Sequence, residues 1–172
     1  MRVMLLRHAK SKKAEGGRND HARGLKGRGK SDVPVMGAYM ARHELIPDLV
    51  LVSTAERARQ TWERLATALP APPRVVYEDR LYNAGADAII ALVKGTVRTL
   101  LLVGHNPGLQ DTARRLIASG DVETRKRLDE GLPTSGLAVI DFAGKDWRKL
   151  HPHGGRLERL VSPRSLAEAG RA

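Results

Sequence analysis

Short apolar runs alternate along the chain with longer stretches in which apolar positions recur every three or four residues. These are the periods of buried strands and of helices. The first run, Arg2 to Leu6, ends in charge and predicts a buried strand. Leu49 to Ser53, Val75 to Tyr77 and Leu100 to Val103 predict three more, and Leu137 to Phe142 and Leu157 to Val161 two closing ones. Val33, Met36, Tyr39 and Met40 fall at helical spacing and predict a helix over 29–44, with Pro34 accommodated in its first turn. Trp62, Leu65 and Leu69 predict a second helix over 56–68, ended by the proline cluster at 70–73. Further helices are expected over 86–93 and 109–118. Glu15 to Gly29 has no periodicity and reads as a loop, and Asp121 to Gly131 reads as an exposed charged segment. Continuously apolar strands interleaved with helices predict a largely parallel sheet covered on both faces, a three-layer α/β/α domain.

The length of 172 residues fits one domain, 1–172, with a core over about 2–163 and a C-terminal tail over 164–172. The absence of cysteine excludes a disulfide framework, a thiol nucleophile and Cys-ligated metal sites. No aliphatic run approaches the ~20 residues of a membrane helix, and the opening residues lack the apolar core of a signal peptide. A cytoplasmic monomer without membrane contact is expected. The net charge of +11 is enough to draw anions toward the surface. Aromatic residues are only 3%, too few for the stacking platforms of single-strand binders. The charge therefore reads as steering toward an anionic substrate, and no nucleic-acid partner is expected.

Ligands of open α/β sheets bind beyond the carboxyl ends of the strands. Arg7 and His8 follow the first predicted strand. Ser53 closes the second and leads through Thr54, Ala55 and Glu56 to Arg57 at a helix start. Gly104, His105 and Asn106 follow the fourth. A lone histidine is usually a surface or satisfied core residue, and a lone arginine a solvated charge. Two of each at neighbouring strand ends point instead to an anion site.

These segments resemble the histidine phosphatase superfamily, marked by Arg-His-Gly or Arg-His-Ala closing the first strand, and within it the SixA-type phosphohistidine phosphatases. Leu5-Leu6-Arg7-His8-Ala9-Lys10-Ser11 is similar to that branch's opening. Asp20-His21-Ala22-Arg23-Gly24-Leu25 resembles its Asp-x-x-Arg-Pro-Leu segment, with Gly24 in place of proline. The stretch from Ser53 to Thr61, then Leu81-Tyr82-Asn83-Ala84 and Val103-Gly104-His105-Asn106-Pro107-Gly108-Leu109, also match in order. The resemblance implies a phosphoglycerate mutase-like fold and a phosphatase working without metal or organic cofactor. His8 would be the nucleophile that becomes a covalent phosphohistidine. Arg7, Arg57 and His105 would hold the phosphoryl oxygens, with Arg23, Asn106 and Ser53 as further phosphate or substrate contacts. Phosphohistidine on a protein is the expected substrate. The alternatives are a small-molecule phosphomonoesterase or mutase of the same superfamily and, less favoured, a basic nucleic-acid-binding domain.

Arginine's planar fork fits two phosphoryl oxygens at once, and nearby cations favour a neutral, nucleophilic His8. His105 is expected as a cationic or N–H donor to the same oxygens. Larger superfamily members carry a carboxylic acid near the leaving group, in a segment where this chain has Glu78-Asp79-Arg80-Leu81-Tyr82-Asn83. Asn83 cannot donate a proton as an acid, and Arg80 favours ionised Glu78 and Asp79, so no strong carboxylate acid is expected. Gly24 to Ser31 matches the G-x-x-x-x-G-K-S phosphate-loop pattern, but polar residues precede it where that loop needs a strand. His151-Pro152-His153 reads as an exposed turn, Arg125-Lys126-Arg127 as solvated surface, and His21 and His43 as histidines without an evident partner.

Overall fold

The computed structural model describes residues 1–14, 19–94 and 97–170. Seven strands form one sheet: β1 (Arg2–Arg7), β2 (Leu49–Ser53), β3 (Arg74–Glu78), β4 (Thr99–Gly104), β5 (Ile117–Gly120), β6 (Leu137–Asp141) and β7 (Gly155–Val161). Their order is β3-β2-β4-β1-β6-β7-β5. β1 pairs parallel with β4, β4 with β2, and β2 with β3. β6 runs antiparallel to both of its neighbours, and β5 pairs parallel with β7. The sheet is thus mixed but mostly parallel, with β6 alone reversed.

Alternate residues of the central strands feed two separate cores, as a pleat of period two requires. Val3 and Leu5 of β1 and Leu100 and Leu102 of β4 join one cluster, while Met4, Leu6, Leu101 and Val103 join the other. The first face is covered by α3 (Ala86–Val93), α4 (Gly108–Leu116) and α5 (Val122–Glu130), through Ile89, Val93, Leu109, Ala113, Leu116 and Leu128. The second is covered by α1 (Gly27–Arg42) and α2 (Glu56–Ala66), through Val33, Met36, Met40, Trp62 and Leu65. The last helix, α6 (Pro163–Ala169), lays Leu166 against that same cluster. This double covering is why the strands read as unbroken apolar runs.

Several expected boundaries move. The first helix begins at Gly27 and ends at Arg42, so its first turn lies in the segment read as loop. That segment also contains a 3₁₀ turn at Asp20–Ala22, and its residues 15–18 lie outside the described residues. The helix expected over 109–118 stops at Leu116, where the chain becomes β5. The charged stretch after Asp121 is α5, its start capped by the Asp121 side chain accepting from the Thr124 N–H. Most of the expected tail is α6, opened by a capping box between Ser162 and Ser165. Among the described residues no strand feeds the Gly24–Ser31 segment. Leu25 makes an isolated bridge to Ser11, and the helix begins at Gly27, within the motif itself.

Candidate functional site

β1, β4 and β2 are consecutive in the sheet and parallel, so their carboxyl ends lie side by side. Arg7 is paired in register with Gly104, and the His8 N–H donates to the Gly104 carbonyl at 3.0 Å. This brings the His8 and His105 rings to a centroid distance of 5.2 Å. Arg57 enters from the first turn of α2 and is buried. Thr61, one turn later, ties that helix to the strand end: its hydroxyl accepts from the Ala9 N–H at 3.0 Å and donates to the Arg57 carbonyl at 2.7 Å.

The His8 ring has a defined orientation. Its Nδ1 lies 2.8 Å from the Ala9 carbonyl, an acceptor only, so Nδ1 carries the hydrogen and Nε2 keeps its lone pair. Arg57 Nε donates toward that lone pair at 3.3 Å. Burial is the main cause that lowers the His8 pKa to about 4, with Arg57, Arg7 and Arg23 adding to it. The sequence argument had put the cations first, but loss of water outweighs them. His105 is pushed to about 3, again mainly by burial, and then by His8 and Arg57. Both rings are therefore neutral near pH 7, which leaves His105 the N–H donor of the two expected forms.

Ser53 is fully buried at the end of β2, with its Oγ 2.7 Å from His105 Nε2. The Ala55 N–H donates to the same Oγ at 3.4 Å, and among the described residues His105 Nε2 is the one acceptor paired with this buried hydroxyl, which is satisfied as a donor only through it. Ser53 thus meets the cleft through His105 rather than directly. With Nε2 as acceptor, the His105 hydrogen sits on Nδ1, which is buried and has no partner. Arg7 spends Nη1 on the Leu132 carbonyl at 2.9 Å, while its buried Nε has no partner. Asn106 donates to that same carbonyl at 2.9 Å and leaves its Oδ1 buried and unpartnered. Buried polar groups are seldom left unpaired, and such a concentration around one cleft marks a place built for a polar ligand.

Residues to which the sequence reading gave no role in the site complete the surroundings. Asp20 accepts from the Tyr82 hydroxyl at 2.7 Å, from Arg57 Nη2 at 3.1 Å and, through its other oxygen, from Arg23 Nε at 2.8 Å. The Tyr82 hydrogen bond foremost, and then the arginines, hold its carboxyl at about 2. His21 has a partner after all: its Nε2 lies 2.9 Å from the Thr54 hydroxyl, and its ring meets Tyr82 edge-on at 4.8 Å. His43 likewise packs its ring on Tyr39 at 4.3 Å. The pairing of Asp20 with Arg23 three residues on was the available signal. The roles of Tyr82 and His21 depend on folding and had none.

The cleft has a volume of about 380 Å³ and is lined by Arg7, His8, Arg23, Arg57, His105 and Asn106 together with Asn83, Thr134, Ser11 and four lysines. Among the described residues no carboxylate lines it. Glu78 is bound to Arg80 at 2.6 Å, and that hydrogen bond lowers its pKa; Asp79 accepts from the Thr54 hydroxyl at 2.6 Å. A hollow of about 440 Å³ lies at the opposite strand ends around Met1, Arg98 and Trp147, but it contains neither histidine nor hydroxyl. Among the described residues no group of three or more His, Asp or Glu side chains is placed to hold a metal ion. No helix among them is long and apolar enough to cross a membrane.

No family model matches the chain. A structure from Agrobacterium tumefaciens, assigned as the phosphohistidine phosphatase SixA, is 35% identical with a TM-score of 0.80, covering 94% of this chain and 97% of that one. This chain belongs to the histidine phosphatase superfamily. Within the superfamily it falls in the SixA branch. A second structure assigned to SixA, from Nakamurella multipartita, is 28% identical with a TM-score of 0.76. An uncharacterised protein of Mycobacterium tuberculosis is 37% identical over 164 residues, covering 92% of this chain and all of that protein. Membership brings with it the phosphoglycerate mutase-like fold, which the seven-stranded mixed sheet has.

Proposed function

We propose that this histidine phosphatase removes the phosphoryl group from phosphohistidine on a protein, through a covalent phosphohistidine on its own His8. The observation that carries the proposal is the neutral His8 ring. Its Nδ1–H is held by the Ala9 carbonyl, its Nε2 lone pair faces Arg57 Nε, and the ring lines a cationic cleft in which, among the described residues, there is no carboxylate. Arg7 Nε, the Arg57 guanidinium and His105 Nδ1 are the donors for the phosphoryl oxygens. Arg57 gives up its contact with Nε2 when an oxygen takes its place.

His8 Nε2 attacks phosphorus as the N–P bond of the substrate breaks. A substrate ring protonated on its other nitrogen departs as neutral imidazole. His8, still carrying its Nδ1–H, becomes a phosphorylated cation whose charge the Ala9 carbonyl stabilises. Water then attacks phosphorus, the P–Nε2 bond breaks, and inorganic phosphate leaves with both protons of that water. The first step exchanges one imidazole for another and needs no acid. An alkyl phosphate expels an alkoxide instead, and a general acid is typically worth ~10²–10⁴-fold there. Asn83 lines the cleft but cannot supply that proton.

A phosphate-release panel tests this. Phosphohistidine peptide should exceed phosphoserine peptide and sugar phosphates by about two orders of magnitude or more in kcat/KM, given the size of the missing acid's contribution. Aryl phosphates, with better leaving groups, should fall between. Equal rates on phosphoserine, or a clear preference for one sugar phosphate, would replace this reading with a small-molecule phosphatase.

A further inference from the structure

The inner part of the cleft is balanced for one phosphoryl group. Arg7, Arg57 and Arg23 bring three positive charges. Asp20, 2.7 Å from Arg23 and 3.1 Å from Arg57, removes one, and both histidines are neutral. The remaining two match a phosphoryl dianion, whose charge is about −1.5 to −2 at neutral pH. Lys10, Lys12, Lys13 and Lys26 line the same cleft at its exposed mouth and add four charges that the phosphoryl group does not need. Among the described residues none of them has a carboxylate within ion-pair distance.

We propose that these four lysines form a docking rim that selects a phosphorylated protein carrying carboxylates beside the phosphorylated side chain. The proposal rests on the phosphatase reading above and specifies its substrate.

The rim is held in place. Ser11 bridges Leu25 in antiparallel fashion, the Lys12 N–H donates to the Gly24 carbonyl at 3.0 Å, and the Lys26 N–H to the Lys10 carbonyl at 2.8 Å. Leu25 is buried, and its N–H donates to Gln60 of α2 at 2.8 Å. Arg23 ties across to the Ser11 hydroxyl at 3.2 Å. Lys10, Lys12 and Lys26 therefore project from a short anchored ribbon, with Lys13 next along the chain, so the backbone that carries their flexible stems has a defined place beside His8.

A second phosphate on a small molecule would call for converging buried donors, as in the inner site. Among the described residues the buried unpartnered side-chain polar atoms are Arg7 Nε, His105 Nδ1, Asn106 Oδ1 and Ser135 Oγ, and none belongs to the rim. Ammonium groups on flexible exposed stems read charge with little demand on shape, which suits carboxylates spread over a protein surface.

The test compares two phosphohistidine peptides, one flanked by Asp and Glu and one by Asn and Gln. Each exposed ion pair is worth a factor of roughly two, so the acidic peptide should be favoured about tenfold in kcat/KM at low salt, mostly through KM. The preference should vanish in the variant carrying Lys10→Gln, Lys12→Gln, Lys13→Gln and Lys26→Gln. It should also fade in the unaltered protein as salt rises toward ~0.5 M, where screening shortens to a few ångströms. Binding of the same peptides to His8→Ala, read by fluorescence anisotropy, should show the same ratio in Kd and is independent of turnover. Equal kcat/KM and Kd for the two peptides at low salt, or a preference surviving in the quadruple variant, overturns the rim. Stronger inhibition by an oligophosphate than by an unphosphorylated acidic peptide of equal charge overturns its assignment to a protein. If neither peptide releases phosphate, the phosphatase reading fails, and the anisotropy ratio alone decides the rim.

Discussion

At the scale of single residues, the site depends on which nitrogen of each ring carries its hydrogen. His8 is set by the Ala9 carbonyl at 2.8 Å and His105 by the Ser53 hydroxyl at 2.7 Å, so one offers a lone pair and the other an N–H. Ser53→Ala would leave His105 Nε2 buried without its donor, a loss of about 1–3 kcal/mol in stability. It would also free the ring to take the other tautomer, which leaves the buried Nδ1 without a hydrogen to donate. The expected outcome is a fall in kcat of tenfold or more, of order 1.4 kcal/mol or more in the barrier, with KM little changed. Steady-state kinetics beside a urea melt would separate the two effects, and unchanged kcat would remove Ser53 from the positioning of His105. His8→Ala should abolish turnover, and acid-labile phosphate should no longer accumulate on the protein after a brief exposure to labelled substrate. Arg7, His8, Arg57 and His105 were legible in the sequence because they follow apolar strands in recurring motifs. The lysine rim was not, because an exposed lysine in a segment without periodicity reads as solvated charge until folding gathers it around a cleft.

At the scale of elements, legibility followed burial. β1, β2 and β4 are apolar throughout their cores because helices cover both faces, and these were the strands that placed the site. β5 buries only Ile117 among its four residues, and α5 only Leu128 among its nine, so neither carries a readable period. α6 buries none of its residues fully and is identified by its capping box instead. The start of α1 shows how closely one element can be fitted to the site. A Cβ added at Gly29 would lie 2.2 Å from the Lys10 carbonyl oxygen, so helix and ribbon approach more closely than any side chain permits. At Gly27, two residues earlier, a Cβ would meet nothing within 4 Å. Gly29→Ala should therefore displace the ribbon and cost about 2 kcal/mol or more, in the range of overpacking. Gly27→Ala should be neutral or stabilise by a few tenths of a kcal/mol, since alanine favours helix. Thermal melts of the pair decide it: equal shifts would mean that the close approach is not maintained.

For the whole molecule, the alternation of strands and helices was enough to predict a mostly parallel, doubly covered sheet, and the sheet then determined which strand ends could meet. The buried histidines at that meeting point link the site to the stability of the entire fold. In the unfolded chain a histidine takes up a proton near pH 6.5. In the folded protein His8 does so only at about 4 and His105 at about 3, because burial opposes their charged forms. Between about pH 6.5 and pH 4 the unfolded state therefore binds more protons than the folded one, and stability falls as pH falls through that window. Above pH 6.5 both rings are neutral in either state, and their contribution is constant. Asp20 is held at about 2 and loses its stabilising partners only at lower pH, below the histidine window. The urea midpoint should accordingly drop steadily from pH 6.5 to 4.5 in the unaltered protein. In the double variant His8→Gln and His105→Gln, which has no titrating ring at either position, the same decline should be distinctly shallower. The variant also separates this term from the self-repulsion of a chain with net charge +11, which acts on both proteins alike. A slope unchanged by the double substitution would mean that the two rings ionise in the folded state much as they do in the unfolded chain, so that burial does not depress their pKa values at this site.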